Sequence, residues 1–491
     1  MAKSLKLQAG LLAASRAAGQ VLNALVSFVA ARALLQEDFG TFRQIYLLFT
    51  TLLLITDLGF SESLYYFLPK YPERAGRYVA RALMIVGPLQ FVVGTGLFLF
   101  REAIGRSFDN PALAAVLPLF AFFLGFSVVT RLWEVQLISQ QRIVAAGLVT
   151  GGFEAFKALL LFAVLFIEPS IHWIVWALVV ATGAKVLCFL VFLAREKRPD
   201  IAGQIVTSEF MNYSLALWIP GAVNVLAMQA HQFLVGFSFT PEEFAVYSVA
   251  CFQLPMLAVL TTSVIEVMLV RITAAHGAGR HEEVVQVWNA ATAQSMVFFI
   301  PLVLALAAMA VPLITLLFTA RYVSAAPLFA ILTLSLPLTA IYTNNVLRAF
   351  GAMKEYTAFY FLRLVLSLGL AWAGVTWYGM WGAAISSVAA LYVVTALQLR
   401  TVTRLLQVPF RRILPFAEMG KITIASIAAA VPAFAAAQWL TRPVVALLAG
   451  GLAFAGIFGA MALWLGIVRR QEVHHRLNEL WKAIRRFCFR K

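Results

Sequence analysis

The sequence is dominated by apolar segments of about 20 residues, the length that an α-helix needs to cross the hydrocarbon core of a bilayer. The apolar residue types make up 62% of the 491 positions, and charged residues only 12%. A soluble domain carries about 25% charged residues. Because so much apolar surface cannot be buried in a water-soluble core, the sequence predicts an all-α, polytopic membrane protein.

Fourteen segments have the length and apolarity of a membrane span. The predicted spans are residues 9–33, 43–67, 79–100, 114–136, 148–167, 173–194, 210–236, 245–270, 288–310, 326–347, 356–377, 380–399, 418–440 and 444–467. The first is too long for the apolar core of a cleaved signal peptide, which has about 7–15 residues, and is interpreted as a retained span. The connections are short, so we expect no extramembrane domain.

The distribution of basic residues tests this count, because Lys and Arg accumulate in the cytoplasmic connections of membrane proteins. With fourteen spans and a cytoplasmic N-terminus, most of the 38 Lys and Arg residues fall in cytoplasmic segments. The opposite side receives Arg32, Arg43, Arg101, Arg106, Arg321 and Arg442. A miscounted span would exchange the two sides downstream of the error. The asymmetry therefore favours fourteen spans with both termini in the cytoplasm.

The net charge of +16 would suggest a nucleic-acid partner for a soluble protein. Here the charge lies along one membrane face, which argues against nucleic acid. The three cysteines are scattered and the six histidines lack zinc-site spacing. The sequence also lacks a catalytic constellation and a phosphate-binding glycine loop of the ATPase type. We expect a protein that is not an enzyme and uses no metal or other cofactor.

The C-terminal tail, residues 469–491, has apolar residues at helical spacing among eight basic ones. The apolar positions are Val473, Leu477, Leu480, Ile484 and Phe487. This pattern predicts a basic amphipathic helix that lies on the anionic cytoplasmic leaflet. A helix that binds a partner protein is the alternative.

Two halves of the chain resemble each other at an offset of about 206 residues. The matching segments and residues are 37–39 with 242–244, 75–77 with 278–280, 118–121 with 327–330, Arg142 with Arg348, and Lys157 with Arg363. The offset covers six spans, an even number, so the repeats have the same membrane orientation. The predicted organisation is an N-lobe (1–200, spans 1–6), a C-lobe (201–405, spans 7–12), two extra spans (406–468) and the tail (469–491).

Span 1 carries a polar stripe, since Arg16, Gln20, Asn23 and Ser27 share one helix face. Hydrogen bonding between helices is one explanation of the stripe, and a substrate path is the other. Asp57 in span 2 lies at a depth similar to that of Arg16. The two residues could form a plain ion pair or a coupling switch that anionic cargo breaks.

Three basic residues lie at predicted membrane depth in spans 4, 5 and 11. Lys157 follows Glu154 by three residues and Arg131 precedes Glu134 by three, so both could be neutralised across one helical turn. Arg363 has no carboxylate at this spacing. Because arginine can grip phosphate oxygens bidentately, we predict that Arg363 and Lys157 contact an anionic ligand.

Further polar residues in the spans include a cluster in span 7, formed by Asn224, Gln229, His231 and Gln232. Asn224 and Gln232 are predicted to contact substrate. His231 could titrate during coupling or be a hydrogen-bonded structural histidine. Glu266 in span 8 is a second coupling candidate, although it lies near the inner end. Lys185 in span 6 is expected to reach towards the inner surface.

Several stretches resemble one family. Residues 34–71, LLQEDFGTFRQIYLLFTTLLLITDLGFSESLYYFLPKY, are similar to the opening of the polysaccharide transporters, the Wzx-type O-antigen and exopolysaccharide flippases. The turn at 37–40, the sequence Asp57-Leu58-Gly59, LLFTARYVSAAPL at 316–328 and YGMWGAAISS at 378–387 carry the same resemblance. It covers essentially the whole chain and is strongest in the first 80 residues.

The resemblance implies the fold of the multidrug/oligosaccharidyl-lipid/polysaccharide (MOP) exporter superfamily, with two six-helix lobes around a cavity. It also implies that the protein flips an undecaprenyl-diphosphate-linked oligosaccharide across the bacterial inner membrane, using cavity cations such as Arg16, Lys157 and Arg363. Its partners would be this lipid-linked substrate, membrane lipids and polysaccharide assembly proteins such as a polymerase. The family's motifs identify the family better than the cargo.

Three alternatives stay open at this stage. The chain could be a lipid II-type flippase or a drug exporter of the same superfamily. Drug exporters usually have twelve spans and carboxylate-centred sites, unlike the cationic set here. A polysaccharide polymerase or ligase should carry a sizeable outward loop with reactive residues, and the longest outward connection, at about 101–113, is small.

Overall fold

The structure, a computed structural model, describes residues 2–195, 206–254 and 256–467. The α-helices of these ranges are α1 (Ala2–Ala33), α2 (Gln36–Asp57), α3 (Phe60–Lys70), α4 (Ala75–Leu99), α5 (Arg101–Ser107), α6 (Pro111–Ser139), α7 (Ile143–Ile167), α8 (Ile171–Arg195), α9 (Thr207–Ser238), α10 (Pro241–Ala250), α11 (Met256–Gly277), α12 (His281–Ala308), α13 (Ala310–Phe318), α14 (Ala325–Thr333), α15 (Leu336–Thr339), α16 (Thr343–Ala349), α17 (Met353–Leu406), α18 (Phe416–Trp439) and α19 (Pro443–Trp464). Short 3₁₀ turns occupy Pro72–Arg74, Ala320–Tyr322 and Phe410–Arg412. The predicted tail helix at 469–491 lies outside the described residues.

Twelve helical segments in the described part of the chain are long and apolar enough to cross a membrane. Each has at least 18 residues and few charges, so a bilayer can satisfy its apolar surface while the helix satisfies its own backbone. This confirms the predicted all-α, multi-pass membrane protein.

Helix α17 contains a reversal of the chain at Gly379. Its 54 residues would extend about 80 Å if straight, far more than a bilayer core of about 30 Å. Gly379 has φ 60° and ψ −140°, outside the helical region. A Cβ atom at Gly382 would lie 1.9 Å from the carbonyl oxygen of Gly374, so the two arms touch backbone to backbone. The helix is therefore a hairpin of two antiparallel arms.

The hairpin agrees with the two predicted spans 356–377 and 380–399. Trp377 and Tyr378 beside the turn are strongly exposed, as is typical of aromatic residues at a membrane–water interface. The count of fourteen spans stays a prediction, because the predicted span 245–270 includes residue 255, which lies outside the described residues.

The second predicted span, 43–67, is broken into α2 and α3. Leu58 and Gly59, between the two helices, both have left-handed backbone conformations, with φ 49° and 76°. A side chain at Gly59 would lie 2.4 Å from the carbonyl oxygen of Ser214 on α9. Glycine is required here by the positive φ and by the close approach of α9. The prediction of one continuous helix was wrong, because an interruption does not change hydropathy.

The tenth predicted span, 326–347, is also interrupted, and α14, α15 and α16 take its place. Tyr342 has φ 58° before α16. Trp288 of α12 donates from Nε1 to the carbonyl oxygen of Ile341 at 2.6 Å, and the hydroxyls of Ser295 and Tyr342 are 2.7 Å apart. These side chains satisfy polar groups at the break, as a break at membrane depth requires.

Contacts divide the chain into two compact units, residues 1–257 with 357–390 and residues 258–356 with 391–491. In the first unit α1 packs on α7, α6 on α4 and α8, and α2 on α10. In the second, α12 packs on α14 and α18, and α18 on α19. The predicted lobe boundaries at residues 200 and 405 stay a prediction.

The turns before α7 and α17 have the same hydrogen bonding. Arg142 N donates to Leu137 O at 2.9 Å, and Ala352 N donates to Leu347 O at 3.0 Å. In both turns the residue before the donor has positive φ, which makes each a Schellman turn. The same turn ends four other helices in the described residues, so it is a common helix stop, and the internal repeat stays a prediction.

Candidate functional site

Small residues bring α1 and α7 into close contact. Ser15 of α1 faces Gly147 and Gly151 of α7, and a Cβ at Gly151 would lie 3.3 Å from Ser15 Cβ. One turn further, a Cβ at Gly19 would lie 3.1 Å from Glu154 Cγ. Small residues at such spacing let membrane helices approach closely. The packing lays the Glu154 side chain across α1, towards its polar stripe.

Glu154 connects that stripe to a lysine. Its carboxylate accepts a hydrogen bond from Asn23 Nδ2 at 3.0 Å and pairs with Lys157 Nζ at 2.7 Å. The Lys157 side chain is 15% exposed and that of Glu154 29%. Of the two interpretations of Lys157, the local pair with Glu154 is present in the structure, and its contact with an anionic ligand stays a prediction.

Arg16 takes a partner that its sequence neighbours did not indicate. Its Nη2 lies 3.0 Å from Glu134 Oε1 on α6, and Tyr65 on α3 lines a cavity together with Arg16. Among the described residues, Arg16 and Asp57 do not form an ion pair. Asp57 instead contacts Ser61 at the break between α2 and α3.

The Asp57 carboxylate accepts hydrogen bonds from the first turn of α3. The side chain is 1% exposed and accepts from Ser61 N at 3.4 Å and from the Ser61 hydroxyl. A helix that starts inside the protein has unpaired N–H groups, and a carboxylate at its N-terminus can satisfy them. The break at Leu58–Gly59 creates that need.

Arg131 and Glu134 do not pair with each other. Arg131 Nη2 lies 3.5 Å from Glu62 Oε1 on α3, while Glu134 holds Arg16. The prediction of a local pair was wrong, because both side chains reach across to neighbouring helices. Glu62 and Tyr65 were missed from the sequence, since their place on α3 follows from the unpredicted break.

These side chains line a cavity of about 430 Å³ in the first unit, bounded by Arg16, Glu62, Tyr65, Arg131, Glu134 and Val135. Two guanidinium groups and two carboxylates face the same space, together with a phenol. The donors suit phosphate or sugar oxygens, and the carboxylates accept from sugar hydroxyls. The lining is suited to a highly hydroxylated or phosphorylated ligand.

Lys185 on α8 belongs to the same charged surroundings. It interacts electrostatically with Glu134 and Glu154, as well as with Lys157. The expectation that its side chain reaches towards the inner surface stays a prediction. Residues 2–195 thus hold an intramembrane network with one more cation than carboxylate: Arg16, Arg131, Lys157 and Lys185 with Glu62, Glu134 and Glu154.

Arg363, on the first arm of α17, is half-buried and is held by a neutral partner. Its Nη1 donates to Asn224 Oδ1 on α9 at 3.0 Å. Among the described residues, no carboxylate lies within the 4.0 Å that defines an ion pair. The structure therefore brings together two predicted site residues and leaves the charge of one of them uncompensated by an acid.

The other predicted residues of α9 differ in their surroundings. His231 is buried, with Nδ1 2.7 Å from the Tyr247 hydroxyl. Gln232 is half-buried beside it. Gln229, which was not assigned a role, donates to Thr50 Oγ1 at 3.0 Å. Hydrogen bonding explains His231 without a further function.

Two predicted residues stand apart from these contacts. Gln20 is exposed on α1, and Glu266 is exposed on α11 in the second unit. For both of them and for Gln232, the described part of the chain shows no polar side-chain contact. Their assignment to substrate or coupling stays a prediction.

Residues 29–327, more than half of the chain, match the family described as polysaccharide biosynthesis protein. The chain belongs to this family. A search of curated proteins found no significant match. The resemblance inferred from the sequence is thereby confirmed at the level of the family.

Solved structures of three transporters share the fold of this polysaccharide biosynthesis protein. The lipid II flippase MurJ in an inward closed conformation is 16% identical, with a TM-score of 0.69 over 93% of this chain and 98% of that chain. An inward-facing MATE-family multidrug resistance transporter of the MOP superfamily is 15% identical, with a TM-score of 0.64 over 79% of this chain and 95% of that chain. A MOP transporter from Pyrococcus furiosus, described as having a binding pocket of reverse polarity, is 15% identical, with a TM-score of 0.55 over 82% and 96%. The family member thus has the MOP-superfamily fold.

Proposed function

We propose that the protein flips an oligosaccharide linked to undecaprenyl diphosphate from the cytoplasmic to the periplasmic leaflet of a bacterial inner membrane by alternating access. The cargo would be an O-antigen or exopolysaccharide repeat unit. The family supports a role in polysaccharide biosynthesis. The fold supports transport, because MurJ is a lipid flippase and the MATE proteins are transporters.

The physical obstacle to flipping is the headgroup of the lipid. A glycan and a diphosphate lose their hydration in hydrocarbon, which costs several kcal/mol for each unpaired polar group and more for each charge. A polar, charged path inside the protein replaces that water, while the polyprenyl chain can stay in the bilayer. No covalent step is required.

The observation that carries the proposal is the contact between Arg363 and Asn224. A guanidinium at membrane depth is costly unless it is paired. Asn224 accepts one of its five N–H donors and fixes its orientation without neutralising it. The remaining donors suit the oxygens of a diphosphate.

The cavity of Arg16, Glu62, Tyr65, Arg131 and Glu134 supports the glycan part of the proposal. Its charged groups are already paired with each other, so the cavity is strongly polar at little net charge. Sugar hydroxyls can exchange hydrogen bonds with both partners of such pairs. We assign the diphosphate to Arg363 and sugar residues to this cavity.

Flipping is tested with purified protein in liposomes. A polyprenyl-diphosphate oligosaccharide with a fluorophore on its glycan is added to the outer leaflet, and the fraction protected from an impermeant quencher is followed over time. Arg363→Ala should slow protection roughly 10- to 100-fold, the worth of a charge-assisted hydrogen bond. Arg363→Lys should be intermediate, since it keeps the charge but not the fork.

Arg101→Ala is the matched control, because the Arg101 side chain is 42% exposed and contacts the adjacent Glu102 and the Phe98 ring, away from the proposed site. It should flip at the wild-type rate. An unchanged rate for Arg363→Ala would overturn the assignment of the diphosphate. Transport of a fluorescent organic cation without any flipping of the oligosaccharide lipid would favour a drug exporter instead.

A further inference from the structure

A second cavity lies at one end of the α7–α8 pair, apart from the charged network. Its volume is about 400 Å³, and it is lined by Arg142, Cys188, Val191, Phe192 and Arg195. The proposed function assigns no role to any of these residues. The lining combines two basic side chains with an apolar wall.

The fold places both arginines at the same end of the helix pair. Arg142 is the residue immediately before α7, and Arg195 is the last residue of α8. Only three residues connect the two helices at the opposite end, so α7 and α8 run antiparallel and the two arginines meet. The Arg142 guanidinium stacks over the Phe192 ring, with Cζ 5.0 Å from the ring centroid, which holds it in place.

The start of α7 adds to the positive potential. The N-terminus of a helix carries about half a positive charge and favours anions. The side chain of Arg142, the residue at the N-cap position of α7, makes no capping hydrogen bond. An anion in this cavity would therefore meet two guanidinium groups and the positive end of a 25-residue helix.

The surface that leads away from the cavity along α7 and α8 is apolar and exposed. Leu148 of α7 is 67% exposed and Leu187 of α8 is 62% exposed, and Val144 and Leu190 beside them are also exposed. In a membrane-spanning helix pair, such side chains face lipid tails. A ligand with a phosphate head and hydrocarbon tails matches both parts of this surface.

We propose that the cavity binds the phosphodiester headgroup of an anionic phospholipid, whose acyl chains lie along the exposed faces of α7 and α8. Basic pockets between membrane helices bind lipid headgroups in this manner. The distribution of Lys and Arg predicts that the site faces the cytoplasmic leaflet. The site is independent of the proposed flipping activity.

Cys188 provides a direct readout, because it lines the cavity and is exposed. The detergent-solubilised full-length protein is treated with N-ethylmaleimide, which is uncharged, and the alkylation rate of the Cys188 peptide is followed by mass spectrometry. Phosphatidylglycerol is titrated in, and phosphatidylcholine with the same acyl chains is the zwitterionic control. Bound phosphatidylglycerol should slow alkylation in a saturable manner, and phosphatidylcholine should not.

Substitution of both arginines tests their role. Arg142→Gln with Arg195→Gln should weaken the protection by phosphatidylglycerol roughly 30-fold, at about 1 kcal/mol for each basic residue near an anionic lipid. The matched control, Arg400→Gln with Arg404→Gln, removes two exposed arginines from the end of α17 and should keep the wild-type protection. Alkylation of the unliganded double variant at the wild-type rate shows that the cavity is intact.

Three results would overturn the proposal. Phosphatidylglycerol that fails to slow alkylation of Cys188 would exclude a lipid site. Equal protection by millimolar inorganic phosphate would indicate a site for small anions. Stronger protection by undecaprenyl phosphate than by phosphatidylglycerol would make the cavity part of the substrate path.

Discussion

Gln36 donates a hydrogen bond from Nε2 to the main-chain oxygen of Glu242 at 3.1 Å, and the two residues are 206 positions apart in the chain. The predicted repeat pairs residues 37–39 with 242–244, so Gln36 contacts the residue next to its own repeat mate, Pro241. The start of α2 therefore lies beside the start of α10, the helix that carries the matching segment of the predicted repeat.

Two further contacts join α2 and α10. Arg43 Nη2 lies 3.4 Å from the carbonyl oxygen of Ser248, 205 residues further along the chain. A Cβ atom at Gly40 would lie 1.9 Å from the carbonyl oxygen of Pro241. The two helices thus touch backbone to backbone, and glycine at position 40 is what allows the contact.

Gly40→Ala should destabilise the protein by about 1–3 kcal/mol, the usual cost of overpacking a closed interface. The methyl group has no flexible side chain to displace, since the obstacle is backbone. Unfolding in a mixed-detergent titration measures the change. Gly96→Ala, at a helical glycine with no atoms within 4 Å of an added Cβ, is the control and should unfold like the wild type. Equal stability of both variants would mean that α2 and α10 do not touch at Gly40.

The Arg16–Glu134 contact makes a second prediction. Arg16→Glu and Glu134→Arg should each reduce flipping, because each places two like charges in the cavity, and the two together should restore much of the rate. The effect on stability should be about 1 kcal/mol or less, since the Arg16 side chain is 49% exposed. The liposome assay for the oligosaccharide lipid measures the rates.

The control for this experiment exchanges the charges of Arg16 and Asp57, by Arg16→Asp with Asp57→Arg. The exchange should give no rescue, because Asp57 faces Ser61. A rescue by the Asp57 exchange and none by the Glu134 exchange would reverse the pairing described above.

The sequence predicted most of the membrane-spanning architecture and little of the pairing inside it. Span positions follow from local apolarity, which each segment carries by itself. Arg16 and Glu134 are 118 residues apart, so their contact depends on how α1 and α6 pack. Lys157 and Glu154 pair as their spacing of one helical turn allows, whereas Arg131 and Glu134, at the same spacing, take partners on other helices.

The helix breaks show a related limit. Gly59 gave a visible signal for the break in the second predicted span, since only glycine readily adopts its backbone conformation next to α9. The break before α16 had no such signal in the sequence, because tyrosine is an unusual residue for the positive φ of Tyr342. The contacts that stabilise this break come from α12. Ser295 hydrogen-bonds the Tyr342 hydroxyl, and Trp288 donates to the carbonyl oxygen of Ile341.

The role of Asp57 can be separated from a role in coupling. Asp57→Asn keeps an oxygen acceptor for the start of α3, so stability and flipping should both stay near wild type. Asp57→Ala removes the cap and should cost about 1–2 kcal/mol of stability. Loss of flipping in Asp57→Asn at unchanged stability would show that the negative charge itself is needed, as in a coupling switch.

The ion pair of Glu154 and Lys157 contributes to stability only while both partners are present. Glu154→Gln leaves a nearly buried ammonium without its carboxylate, which should destabilise the protein by about 3–5 kcal/mol. Adding Lys157→Met removes the stranded charge and should recover most of the loss. Glu102→Gln, which breaks an exposed pair with Arg101, should change the stability by less than about 1 kcal/mol. The same mixed-detergent titration compares the three variants. If Glu154→Gln were no worse than Glu102→Gln, the ammonium of Lys157 would have to reach water or another acid, and the charged network would be less closed than its distances indicate.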